Sequence, residues 1–523
     1  MIHQYRLNGY NIVLDVNSGS VHCVDDASYD IIRLFCGIIE GEGREVTQED
    51  LTRITDQILR DYPEESRESV AEVFEDIEEL QSLGRLFSED LLAPHPELLA
   101  PRKPYVKALC LHVAHTCNLN CSYCFASQGN FHGERAVMTA ETARAALDFL
   151  VRESGGHYNL DVDFFGGEPL MNWDVVKETV RYGRQLEKEY NKNIRFTLTT
   201  NGVGLNDEII DFANREMHNV VLSLDGRKEI HDRFRRTIND QGSYDLIVPK
   251  FQRLVAARRG AGCTENAAAG RDEAAPAGRT ETTPADRTEY YMRGTYTHCN
   301  PDFTEDIKHM AELGFDQLSM EPVVTDPSDP LALTEADLPL LYEQYEKLAD
   351  WMLQREEEGR PVTFYHYMLD LEGGPCIYKR IAGCGAGTEY YAVTPWGDLY
   401  PCHQFVGEEQ FKMGDIWNGV SAQALQEEFG RNNIYAHEEC ADCWAKLYCS
   451  GGCAANAYHG TGSISGIYEY GCKLFRKRME CAIMIKVCES EKSDAPAGAG
   501  AETTSAPAGA GAETTSAPAG AGA

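Results

Sequence analysis

Positive charge is scarce in this chain: 48 Lys and Arg stand against 83 Asp and Glu, a formal net charge of −35 over 523 residues. That deficit argues against nucleic acid or an anionic membrane as the main partner, and suits a basic or neutral peptide or simply a solvated acidic surface. Long apolar runs are also missing, and none approaches the roughly 20 residues that span a bilayer. The N-terminal run Met1-Ile2-His3-Gln4-Tyr5-Arg6 lacks the basic-then-apolar layout of a secretory signal. A cytoplasmic protein is therefore expected. Cysteine, by contrast, is plentiful at 18 residues. In a cytoplasmic chain such thiols are expected to be metal or cluster ligands rather than disulfides. The length allows two to four domains, and 43% hydrophobic with 25% charged residues makes most of it globular.

Residues 1–92 read as a small module. Tyr10 to Val16 and Val21 to Val24 flank Asn17-Ser18-Gly19-Ser20, a hairpin signal. Val70, Val73, Phe74, Ile77 and Leu80 fall at helical spacing, with Gly84 as a stop. Strands, helices and a wing-like turn over Leu83 to Ser88 suggest a winged helix. Pro94, Pro96, Pro101 and Pro104 mark a linker.

Residues 104–325 carry six strand–helix units, with strands over Val106 to Val113, Leu160 to Phe165, Ile194 to Thr199, Val220 to Leu224, Tyr290 to Tyr296 and Gln317 to Met320. Helical stretches include Ala140 to Leu150, Val175 to Tyr190 and Leu246 to Arg258. Such alternation is an α/β pattern with a parallel sheet, short of the eight units of a full barrel. A helical bridge over 326–374 leads to a cysteine-rich region at 375–490. The segment 260–286 and the repetitive tail 491–523 have too little apolar surface to fold and are expected to be disordered.

Two cysteine constellations carry the chemistry. The first is Cys117-x3-Cys121-x2-Cys124, directly after the first barrel strand. Three thiolates on one loop can take three irons of a cubane, which leaves a fourth iron open to chelate the amino and carboxylate groups of methionine. Zinc normally takes four ligands, and no fourth is nearby. With Tyr123 before the last cysteine, this phrase resembles the radical S-adenosylmethionine (SAM) superfamily, whose core is a partial (β/α)6 barrel. Other phrases fall at successive strand ends. Gly166-Gly167-Glu168-Pro169 looks like the family's GGE motif, which contacts the methionine amino group. Thr200 and Asn201 close the third strand, Ser223 and Asp225 the fourth, where similar enzymes touch ribose or carboxylate. The resemblance makes Tyr123 a further cofactor contact, and Arg235 and Arg293 candidate partners of the methionine carboxylate.

The second constellation is Cys384, Gly397-x4-Cys402, then Cys440-x2-Cys443-x5-Cys449-x3-Cys453, then Cys472. It resembles the SPASM extension of peptide-modifying radical enzymes, which carries two auxiliary clusters. That resemblance assigns Cys384, Cys402 and Cys453 to one 4Fe–4S cluster and Cys440, Cys443, Cys449 and Cys472 to the other, three clusters in all. Two zinc sites are the alternative that sulfur count alone leaves open. Cys376 either supplies a fourth ligand to the first auxiliary cluster or leaves that iron for solvent or substrate. Gly383-Cys384-Gly385-Ala386-Gly387 lacks the spacing of a nucleotide-binding fingerprint. Cys23, Cys36, Cys110, Cys299, Cys481 and Cys488 fit no ligand spacing and read as buried small hydrophobes.

The run Leu7 to His22 resembles the maturases of SCIFF peptides, whose winged-helix module pairs a strand with the leader of a cysteine-rich precursor. The resemblance implies thioether crosslinks between a cysteine sulfur and a carbon of another residue, with electrons from a reductant such as flavodoxin or ferredoxin. A formylglycine-forming sulfatase maturase or another SPASM peptide cyclase would share both constellations. An iron–sulfur electron carrier would have no use for the GGEP and SLDG phrases.

Overall fold

The computed structural model describes residues 1–95, 104–265, 289–371 and 377–494. The chain begins with three antiparallel strands in sequence order, β1 (Ile2–Leu7), β2 (Tyr10–Asp15) and β3 (Val21–Val24). Three helices follow: α1 (Asp26–Cys36), α2 (Gln48–Asp61) and α3 (Arg67–Ser82). Side chains accept the first free N–H groups of each, Asp25 for α1, Thr47 for α2 and Ser66 for α3. The expected hairpin and the helix ending before Gly84 are both present. The wing is not built as strands. Residues 83–88 form irregular turns, tied down where buried Asp15 accepts from the Ser88 N–H at 2.8 Å and from the Ser18 N–H at 3.0 Å.

The main sheet is built from β4 (Ala108–Ala114), then β6 (Asn159–Gly166), β7 (Asn193–Thr200), β8 (Asn219–Ser223), β10 (Glu289–Tyr296) and β11 (Gln317–Pro322). These six are parallel and adjacent in that order. Between them, β5 (Leu119–Cys121) and β9 (Arg235–Thr237) form a small antiparallel pair of their own. Helices α4 (Ala140–Glu153), α5 (Trp173–Tyr190), α6 (Asp207–Glu216), α7 (Lys228–Phe234), α8 (Tyr244–Glu265) and α9 (Phe303–Glu312) fill the crossovers. Next come α10 (Leu338–Glu357), the short strand β12 (Thr363–Phe364) beside β11, and α11 (Ile377–Ala382). On the opposite edge β13 (Tyr390–Val393) pairs in parallel with β4, and β14 (Asp398–Tyr400), β15 (Gly414–Asp415) and β16 (Gly419–Val420) continue the sheet as an antiparallel run. Eleven strands thus form one open sheet. The C-terminal region adds α12 (Gln423–Arg431), α13 (Glu438–Ala441), α14 (Lys446–Cys449), α15 (Ala454–Thr461) and the long α16 (Glu469–Asp494).

Alternation along the strands separates two faces. Leu109, Leu111, Val162, Phe164, Phe196, Leu198, Val220, Leu222, Met292 and Leu318 are buried against the helices. The other face carries Asp163, Thr199, Ser223, Tyr291, Arg293 and Glu321, which parallel register brings to one side. A helix-covered sheet would bury two apolar faces. The polar face here is the one left for function.

Two boundaries move. Helix α8 runs to Glu265, into the segment 260–286, because adding a residue to an existing helix needs no new nucleus and so no apolar period of its own; residues 266–288 lie outside the described residues. Helix α16 runs to Asp494, past the expected start of the tail at 491. Cys376, most of the proline linker (96–103) and the tail beyond 494 also lie outside the described residues. Within the bridge, 363–364 is strand rather than helix. No helix among the described residues is long and apolar enough to cross a membrane.

Candidate active site

The loop after β4 carries Cys117, Cys121 and Cys124, all half-buried and within electrostatic reach of one another. Burial pushes the Cys117 and Cys121 thiols up to about 12. The protein's own field therefore does not favour the thiolates, and a bound metal would have to supply that stabilisation. Pairing of β5 with β9 sets Cys121 opposite Arg235 and clamps the loop. From the other side the Gly167 N–H donates to the Ala114 carbonyl at 2.7 Å and the Glu168 N–H to the Thr116 carbonyl at 3.0 Å. A Cβ on Gly166 would stand 2.4 Å from the Ala114 oxygen, and one on Gly167 2.3 Å from that of Thr116. These glycines let the cluster loop lie against the second strand end.

Glu168 is buried, and burial pushes its carboxyl up to about 7. It accepts from Thr200 Oγ1 at 2.7 Å, from the Asn201 N–H at 2.8 Å and from the Leu170 N–H at 3.0 Å. Asn201 in turn donates to Asn118 Oδ1 at 2.8 Å and reaches Cys117 Sγ at 3.5 Å. A second knot joins Tyr123, whose hydroxyl donates to Asp225, and Arg235, which pairs with the same carboxylate at 3.0 Å and lies over the Tyr123 ring. The Thr295 N–H donates to the other Asp225 oxygen at 3.0 Å. Ser223 lies half-buried at the end of β8. The motif residues from three strand ends thus gather around the cysteine loop. Arg293 stands apart, on the polar face with Glu321 Oε1 3.9 Å away.

Downstream, Cys402 is buried and acts electrostatically on Cys453 and Cys384. Cys440, Cys443, Cys449 and Cys472 form a separate interacting set carried by α13, the loop after it, α14 and the first turn of α16. Among the described residues no three His, Cys, Asp or Glu side chains converge as ligands of one ion. Cubane thiolates bind separate irons and stand further apart than the ligands of a single zinc.

Cys110, Cys481 and Cys488 are buried as expected. Cys23 is exposed, and Cys36 and Cys299 are only half-buried, Arg233 donating to the Cys299 sulfur at 3.3 Å, so those three are not fully buried core residues. Sequence reasoning missed Asp163, Glu321, His366 and His403. Charged residues inside otherwise apolar strands, as in Leu160-Asp161-Val162-Asp163-Phe164, were the available signal.

Comparison with known proteins agrees. Residues 111–266 match the radical SAM superfamily and residues 384–444 the SPASM iron–sulfur cluster-binding domain. An uncharacterized protein of Methanocaldococcus jannaschii is 33% identical over 138 residues, 26% of this chain and 45% of that protein, so this chain spans less than half of its length. The cysteine-type anaerobic sulfatase-maturating enzyme of Clostridium novyi is 24% identical over 366 residues, 65% of this chain and 85% of that one. The solved structure of native anSMEcpe with bound AdoMet and Cp18Cys peptide superposes with a TM-score of 0.56 at 20% identity, covering 75% of this chain and all of that one, a likeness of fold.

The parallel sheet, the cysteine loop and the strand-end residues around it define a radical SAM enzyme. Two further thiol sets lie beyond that sheet, on helices and loops of the C-terminal region, so that the chain carries a radical SAM domain followed by a SPASM domain.

Proposed function

We propose that this enzyme matures a ribosomally made, cysteine-rich peptide by installing thioether crosslinks, using three 4Fe–4S clusters. The observation that carries the reading is the polar sheet face, whose strands end at the residues around the Cys117 loop and whose Arg293 acts electrostatically on His403, next to Cys402. Glu321 of that face acts electrostatically on Cys453. A substrate on this face would reach both sites.

Cys117, Cys121 and Cys124 would hold the first cluster, and Ser223, Asn201, Glu168, Asp225, Arg235 and Tyr123 would surround the SAM beside it. Bound there, cluster and SAM would together supply one-electron chemistry able to remove hydrogen from a substrate carbon. The chain's own part is positional. Glu168 fixes Thr200 and Asn201, and the Asp225 knot fixes Tyr123 and Arg235, so the loop is preorganised.

Cys384, Cys402 and Cys453 would hold one auxiliary cluster; Cys376 or a substrate thiolate would complete it. Cys440, Cys443, Cys449 and Cys472 would hold the other. The N-terminal module would act as a winged-helix leader-binding element. Among the described strands none pairs with the outer edge of β3, and that edge can accept an extended peptide. The packing of β1 on α16, where the Tyr5 hydroxyl donates to the Glu480 carbonyl at 2.9 Å, and the stacking of His3 on Trp444, next to Cys443, would tie leader binding to the auxiliary region.

The test is conversion of a SCIFF-type precursor by the iron-reconstituted enzyme under reductant. Loss of two hydrogens per crosslink, with one fewer alkylatable thiol for each, supports thioether formation. An aldehyde in place of a cysteine thiol, or a ring formed with every thiol still free, favours the formylglycine or cyclase alternative.

A further inference from the structure

Arg293 lies midway along the polar face, in register with Ser223 of β8 and Ser319 of β11. Its guanidinium is 43% exposed, approaches Glu321 Oε1 only to 3.9 Å, and donates no hydrogen bond among the described residues. Five N–H donors on a half-buried cation call for oxygen acceptors. Its surroundings differ from those of the Cys117 loop. Glu168, Asp225 and Arg235 are the charged neighbours of Cys117 and Cys121. Arg293 instead acts on Asp163 across the face, on Glu321, on His366, and on His403, which follows Cys402. Glu321 is itself engaged by His366 at 3.2 Å and sensed by Arg478. Tyr291, on the same face two residues earlier, stacks on Tyr365 at 5.6 Å and makes an apolar wall beside the cation.

We propose that Arg293 is a substrate-positioning residue whose guanidinium donates to main-chain carbonyl oxygens of the peptide segment presented between the Cys117 loop and the Cys402 site. This rests on the peptide reading above. Carbonyl oxygens fit better than a carboxylate, whether of SAM or of an acidic side chain, because a second anion would crowd the ionised Glu321 beside the same cation. The planar fork can span two acceptors, which a lysine ammonium does not reproduce.

The experiment uses the full-length, iron-reconstituted enzyme and a SCIFF-type precursor peptide, measuring KM for peptide and for SAM separately in the parent, Arg293→Gln and Arg293→Lys. The peptide KM is expected to rise about tenfold or more in the Gln variant, as for a lost hydrogen bond to a charged group, and less in the Lys variant. The SAM KM is expected to move less than about twofold by the same reasoning. If the Gln variant fails to load iron, the Lys variant alone decides, and a parental peptide KM in it overturns the proposal. A rise in SAM KM as large as that for peptide also overturns it, placing Arg293 on the SAM carboxylate. A parent enzyme that leaves the precursor unmodified overturns the peptide reading, and the proposal with it.

Discussion

The cysteine loop of the main sheet and the cysteines of the C-terminal region gather their thiols in opposite ways. The first set comes from eight consecutive residues, pinned by backbone: β5 against β9 on one side, the Gly166–Glu168 turn on the other. The second and third sets are drawn from segments as distant as Cys384 and Cys453, held mostly by turns and short helices, with only Cys472 on the long α16. A local set is fixed once its loop is fixed. A dispersed set depends on docking of several elements, and on the metal itself for part of its stability.

Breaking the local set should have the largest effect. Changing Cys117, Cys121 and Cys124 together to Ala should remove about four irons per chain and abolish 5′-deoxyadenosine formation under strong reductant. The nucleoside is read by chromatography and iron by colorimetry. Undiminished nucleoside would mean that another site cleaves SAM.

The dispersed sets offer a sharper contrast. Cys402→Ala and Cys449→Ala should each cost about four irons, and the double variant about eight, if the two sets hold separate cubanes. Loss of about eight from either single change would show that the C-terminal region loads as one unit. Zinc replacing iron in the parent after reconstitution would refute both clusters.

The contrast also decides what could be read from sequence. The six parallel strands and the Cys117 loop were legible because strand–helix alternation and a short spacing are local patterns. Partition of the seven downstream cysteines was reachable only through resemblance, since spacing does not say which thiols meet across the fold. The electrostatic neighbours in the structure group them in the same two sets. The polar face stayed hidden for another reason. Asp163, Arg293 and Glu321 sit on three strands, and only sheet register brings them to one side. Continuation of α8 to Glu265 went unread because an Ala- and Gly-rich sequence offers no apolar period.

Glu168 ties the local set to the third strand end, so Glu168→Gln puts an amide N–H₂ where a carboxylate oxygen accepts from Thr200 or Asn201. A mispaired buried donor of this kind costs about 1–3 kcal/mol. Thermal unfolding of the reconstituted variant should show a drop in midpoint, together with weaker SAM binding by calorimetry. An unchanged midpoint would mean that the loop is held by its glycine contacts and strand pairing alone.

The smallest effect concerns the polar face, where the comparison becomes one of pH. Burial pushes the Asp163 carboxyl up to about 7, with Arg293 across the face opposing the rise and Thr199 Oγ1 reaching it at 3.4 Å. A carboxyl whose pKa is raised on folding holds its proton more tightly in the folded state. Its contribution to stability is therefore fully present below the ordinary carboxylate range and lost as pH rises through about 7. Asp163→Asn keeps a neutral side chain of the same shape at every pH. Between about pH 4 and pH 7 the parent should lose stability relative to this variant, with the difference levelling off above that range. Glu168 titrates in the same window. It is common to both proteins, however, so the difference between their denaturant midpoints isolates Asp163. Parallel profiles across the window would mean that the carboxyl is solvated on the open face and titrates as an ordinary aspartate, and the polar face would then be a wetter place than its burial suggests.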